Sequence, residues 1–124
     1  MKLLTSIIAL VFLIGSPFSD VYANESIPSI KAPFHVGETL MVCGKVAKVA
    51  HLNKRIILNI GQAYPNEDIG FLIWDSDVDG FIQRFGNLDT LQNHRVCAIG
   101  TIETYKNHLQ IVLQNPKMLR LMKQ

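Results

Sequence analysis

Val42-Cys43-Gly44-Lys45-Val46 and Val96-Cys97-Ala98-Ile99-Gly100 are both short and apolar, and each carries one of the chain's 2 cysteines. Both stretches read as β-strands. Behind a secretion signal, cysteines meet an oxidising compartment where disulfides form and persist. The pair therefore predicts one bridge, Cys43 to Cys97, between strands far apart in sequence. In the chain-entropy model a bridge closing a loop of about 55 residues stabilises by roughly 4 kcal/mol. Two buried free thiols are the alternative, because unpaired cysteine is often buried.

The secretion signal is legible at the start of the chain. Lys2 gives a positive start, residues 3–15 are apolar, and Val21-Tyr22-Ala23 places small residues for cleavage after Ala23. The apolar run is shorter than the roughly 20 residues of a membrane span. No later stretch is long enough to span either, so the expected product is a periplasmic or secreted protein with no transmembrane anchor after cleavage. The signal takes with it Lys2 and Asp20, so the net charge of +2 is unchanged. About 100 residues remain, enough for one core and too few for two. A charge this small excludes the strongly basic class of nucleic-acid binders, so any anion site needs its cations clustered.

Working outward from the cysteine strands, residues 24–36 hold Pro28 and Pro33 without periodicity and read as an extended arm. Residues 37–124 read as a single domain. Leu40, Val42, Gly44 and Val46 alternate with Met41, Cys43, Lys45 and Ala47, the period of a strand. After a polar turn at residues 51–54, residues 55–60 form a second strand and residues 69–74 a third. Ile56, Leu58 and Ile60 share one inner face, and Ile69, Phe71 and Ile73 another. A short helix over 78–85 follows, with Asp77 as N-cap. Residues 95–105 form a fourth strand that Gly100 lets bend. Residues 109–114 form a fifth, with Leu109, Ile111 and Leu113 inward and Gln110 outward. Residues 117–122 add a helical turn carrying an exposed apolar tail. Three strands, a helix and two strands predict an all-β fold with little helix, the five-stranded Greek-key OB-fold barrel. In that barrel the first and fourth strands are neighbours, which is where the two cysteines fall.

The segments 42–46, Leu58-Asn59-Ile60-Gly61-Gln62-Ala63-Tyr64-Pro65 and 95–102, with Tyr105 and Gln110-Ile111-Val112 after them, resemble small exported bacterial OB-fold domains. Those domains relate to the tRNA-anticodon-type nucleic-acid-binding OB-folds. The resemblance spans about residues 37–119 and implies nucleic acid as the first ligand to test. OB-folds also bind oligosaccharides and proteins.

In such a barrel the ligand crosses strands two and three, between the first–second and fourth–fifth loops. His51, Lys54 and Arg55 belong to the first loop, and Tyr105, Lys106 and His108 to the second. Trp74 and Asn59 face outward between them, with Lys45 and Lys48 nearby. Single-stranded nucleic acid needs cations for phosphates and flat rings for bases. Lys45, Lys54, Arg55, Trp74, Tyr105 and Lys106 are therefore the expected ligand-binding residues. A solvated turn, with Trp74 covering the barrel end, is the plainer alternative.

Asp75, Asp77 and Asp79 with Gly80 resemble the start of a calcium loop. Position 12 of that loop is Gly86 rather than glutamate, and the run follows a strand, so a helix-start cluster is the preferred reading. The four histidines lack zinc spacing. No nucleophile motif is present, and no acidic residue is expected among the basic loops, so neither enzyme activity nor a cofactor is expected. The leading function is binding of single-stranded nucleic acid or another polyanion. The alternatives are a protein-interaction module of an envelope secretion or uptake assembly, and oligosaccharide or cell-wall binding.

Overall fold

The computed structural model describes residues 25–123, so the leader and its cleavage point lie outside the described residues. The described residues form eight strands: β1 (Ser26–Pro28), β2 (Thr39–Leu52), β3 (Arg55–Ile60), β4 (Ile69–Trp74), β5 (Arg95–Thr101), β6 (Glu103–Tyr105), β7 (His108–Val112) and β8 (Leu119–Leu121). Among the described residues one α-helix, α1 (Asp75–Phe85), joins β4 to the segment before β5. The strand order is β6-β7-β4-β3-β2-β5-β8, with β1 beside β2. Neighbours in this path are antiparallel except β4 with β7 and β1 with β2, which are parallel.

This is the expected mostly-β architecture, with eight strands in place of five and a pairing path that is not closed. Three physical causes account for the difference. The fourth expected strand breaks at Ile102, which is fully buried. Its N–H donates to the Glu38 carbonyl and its carbonyl accepts from Gly37 N–H. The chain thus passes from β5 to β6 without the ladder itself closing. The segment read as an arm packs on the sheet: β1 pairs with β2, and residues Ser29–His35 coil into a 3-10 helix that buries Ala32 in the core. The tail read as an exposed helical turn is a 3-10 turn, Pro116–Met118, followed by β8 paired to β5. Leu119 is buried there, while Leu121 is exposed.

Alternation sets the core. Leu58, Ile60, Ile69, Phe71, Ile73, Ile111 and Leu113 point inward and are fully buried, and Phe81 of α1 caps them. The helix leaves β4 directly, so its N-cap is Trp74 rather than Asp77, and it starts at Asp75 rather than Val78. Asp75 and Asp77 sit in its first turn, where the helix dipole favours negative charge. The helix ends at Gly86, whose φ of 78° and N–H bond to the Ile82 carbonyl close the last turn. Two glycines permit close approach. A Cβ on Gly44 would lie 2.5 Å from Ile60 Cγ2, and one on Gly100 would collide with Ile111 Cγ2.

Cys43 and Cys97 face each other in the β2–β5 register, with Cα atoms 4.0 Å apart, and are joined by a disulfide.

Candidate functional site

The strands that bury their odd or even residues inward must present the others outward. On β3 those are Arg55, Ile57 and Asn59; on β4 they are Gly70, Leu72 and Trp74. Antiparallel register sets Arg55 beside Trp74, Ile57 beside Leu72 and Asn59 beside Gly70. The parallel strand β7 adds His108, Leu109 and Gln110 to the same surface. The result is a groove of about 490 Å³ with an apolar floor. Its walls are the end of β2 (Ala50, Leu52), the β6–β7 turn (Tyr105, Lys106) and the loop before β4 (Tyr64, Glu67). A smaller recess of about 180 Å³ continues it past Trp74 and Tyr105. The β6–β7 turn is tight because Lys106 and Asn107 both take positive φ, 49° and 67°.

Charge and aromatic surface meet along this groove. The Arg55 guanidinium lies 5.9 Å from the Trp74 ring centroid, and Lys106 Nζ lies 5.3 Å from that of Tyr105. Tyr64 stacks on His108 with ring centroids 4.9 Å apart. The three large rings stay accessible: Tyr64 is 67%, Tyr105 54% and Trp74 43% exposed. His108 Nδ1 lies 2.5 Å from Glu67 Oε2. The Glu67 side chain is only 4% exposed, and its other oxygen, Oε1, is buried without a hydrogen-bond partner. Asn59 is also buried, at the groove floor.

Of the expected binding residues, Arg55, Tyr105 and Lys106 line the groove, and Trp74 lines the recess beside it. Lys54 and Lys45 line neither. Lys54 occupies the β2–β3 turn at φ 66°, where its carbonyl accepts a hydrogen bond from Asp75 N–H. Lys45 lies on the half of β2 that pairs with β5, opposite Arg95, whereas only the half from Val46 onward pairs with β3. A strand of 14 residues serves two neighbours in turn, so proximity in sequence did not mean proximity to the groove. His51 and His108, which the sequence allowed to meet, each take a different carboxylate: His51 Nε2 bonds Asp89, and His108 bonds Glu67.

An acid from outside the basic loops does reach one of them. Glu67 joins His108 across 41 residues, a contact made when β4 and β7 run parallel side by side. Tyr64 and Glu67 sit in a stretch that reads only as a loop, and no local pattern marks either as a groove residue. Asp75, Asp77 and Asp79 lie on α1, where residues two apart do not share a face. Among the described residues no group of three or more His, Cys, Asp and Glu side chains is placed to hold a metal ion.

No protein-family model matches the sequence, and no curated protein matches it. Solved structures do match in fold. An OBody, AM1L10, bound to hen egg-white lysozyme superposes with a TM-score of 0.58 at 17% identity, covering 84% of this chain and 99% of that one. A putative aspartyl-tRNA synthetase from Leishmania major Friedlin gives 0.56 at 11% identity over 86% of this chain. The asparaginyl-tRNA synthetase from Pyrococcus horikoshii gives 0.52 at 12% over 80%. The match spans only 22% and 23% of those two synthetase chains. At these identities the shared property is the fold, which is of the OB type.

Proposed function

We propose that this protein is an exported, non-enzymatic binding module whose groove takes a short stretch of single-stranded nucleic acid. The observation that carries the reading is the groove's pairing of exposed rings with cations: Arg55 with Trp74, and Lys106 with Tyr105. Bases stack on rings at about 1–3 kcal/mol each, while Lys and Arg follow the phosphates. Three rings and two cations fit a ligand of a few nucleotides and micromolar rather than nanomolar affinity. Two of the similar structures are tRNA synthetases, which keeps nucleic acid the first ligand to try. Export is supported by the disulfide, a bond of oxidising compartments. No helix among the described residues is long and apolar enough to cross a membrane.

The test is fluorescence anisotropy of labelled single-stranded DNA and RNA with the oxidised protein across a salt series, with Trp74 emission followed in parallel. Binding that weakens with salt and quenches Trp74 supports the reading. No binding at low salt, where charge attraction is strongest, removes it.

A second reading has its own observation. Ile30 and Phe34, on the 3-10 helix after β1, are 65% and 74% exposed. Apolar side chains presented this way suit a protein contact, and the OBody shows a chain of this fold bound to a protein. Under this reading Phe34→Ser with Ile30→Ser removes a copurifying partner that the unmodified protein retains, and nucleic acid does not compete for it.

A further inference from the structure

Glu67 is the groove residue that the polyanion reading does not use. A carboxylate repels phosphate, so its presence in a groove built for a polyanion calls for another role. One of its oxygens is occupied by His108 Nδ1. The other, Oε1, is buried and unpartnered. An unpaired buried oxygen of a charged group is costly, and such groups are normally satisfied. The carboxylate lines the groove from just below its surface.

We infer that Glu67 Oε1 accepts a hydrogen bond from the exocyclic amino group of a base held in the groove, so that the site selects cytosine over thymine. This rests on the reading of the groove as a nucleic-acid site. The chemistry follows from the donor pattern of the bases. Cytosine offers its N4 amino group, a donor that acidic side chains accept from. Thymine carries a carbonyl oxygen at the corresponding position, which places acceptor against acceptor.

His108 fixes which oxygen is free. Its Nδ1–H donates to Oε2, and the stack with Tyr64 holds the imidazole plane. The acid thus enters the groove with one oxygen committed and one open, a single-acceptor site. Tyr64, mostly exposed, supplies the ring on which the selected base stacks while its edge turns toward Glu67. Arg55 and Lys106 remain for the phosphates on either side. In this arrangement phosphate contacts give affinity and Glu67 gives selectivity.

Glu67→Gln is the sharpest probe because it keeps shape while changing hydrogen-bond sense. The amide carbonyl still accepts from His108, which leaves the NH2 group, a donor, where Oε1 was. The experiment measures anisotropy of labelled oligo(dC) and oligo(dT) of equal length at one low salt concentration and then across salt. The unmodified protein is expected to hold oligo(dC) about tenfold more tightly. Glu67→Gln is expected to lose that preference or reverse it, with an unchanged salt slope because phosphate contacts are untouched. Equal, salt-dependent binding of both oligomers by the unmodified protein overturns the selectivity and leaves the groove reading standing. A cytosine preference that survives Glu67→Gln overturns the role of Oε1. Failure of both oligomers to bind at low salt overturns the inference together with the reading beneath it.

Discussion

At the scale of single residues, the groove separates cations that look alike in sequence. Arg55 and Lys106 line it, whereas Lys45 lies away from it on the β5-paired half of β2. Removing one phosphate-neutralising side chain lowers the slope of log affinity against log salt by about 0.7 for single strands. Arg55→Ala with Lys106→Ala is therefore expected to flatten the slope by about 1.4, whereas Lys45→Ala leaves slope and affinity where they were. A salt titration of the three proteins checks both halves, and weaker binding with Lys45→Ala would move the binding surface off the groove. Stability is decided at other residues. Gly44 admits no side chain because Ile60 Cγ2 and Ser29 Oγ stand 2.5 and 2.6 Å from where its Cβ would be. Gly44→Ala is expected to destabilise by about 1–3 kcal/mol through overpacking, seen as a lower urea midpoint at unchanged slope. That Arg55, Tyr105 and Lys106 line the groove was legible because turn position and residue type both pointed to them. Glu67 was not, since its significance comes from a partner 41 positions away.

At the scale of elements, β3 (Arg55–Ile60) and β4 (Ile69–Trp74) have the boundaries their alternation predicts. Each is a six-residue apolar stretch bounded by turn residues, with Ile56, Leu58 and Ile60 or Ile69, Phe71 and Ile73 at alternate positions facing the core. The ends of the chain were harder. Ser26–Pro28 and Leu119–Leu121 are three-residue strands, too short for any period to show, and they exist only because β2 and β5 offer edges to pair with. Leu119 illustrates the cost of reading them as surface: it is 1% exposed, packs in the core, and sits opposite Ala98. Leu119→Ala is expected to cost about 2–5 kcal/mol as a large-to-small core change. Leu121→Ala, two residues on and facing solvent, is expected to stay within about 0.5 kcal/mol. Equal effects in chemical denaturation would mean that β8 is not docked. The helix makes the same point from the other direction. Its acidic run resembles the opening of a cation loop, yet β4 runs straight into α1, so Asp75 and Asp77 take different faces of its first turn, near the positive end of the helix dipole.

At the scale of the whole molecule, β2 and β5 pair across a long stretch of sequence, and the disulfide lies across them. Cys43 and Cys97 are 54 positions apart in sequence and directly opposite in the β2–β5 ladder. The bridge therefore closes β3, β4 and the loop between them, which supply much of the groove, into one loop together with α1. In the unfolded state that closure removes conformational freedom worth about 4 kcal/mol at this loop length. A domain of about 100 residues is stable by only about 5–15 kcal/mol, so the bond is a large fraction of the total. Reduction, or Cys43→Ser with Cys97→Ser, is expected to lower stability by up to about 4 kcal/mol. The groove should keep its shape in the protein that remains folded. Its floor comes from β3, β4 and β7, whose mutual pairing does not involve either cysteine, and the β2 residues in its wall, Ala50 and Leu52, lie on the half of that strand that pairs with β3 rather than with β5. Urea unfolding of oxidised and reduced protein, read beside oligonucleotide affinity under native conditions, separates the two effects. A large drop in stability with affinity retained is the expected pair of results. Affinity abolished while the reduced protein is still folded would instead make the β2–β5 part of the sheet a part of the binding surface, and the groove would have to be redrawn to include it.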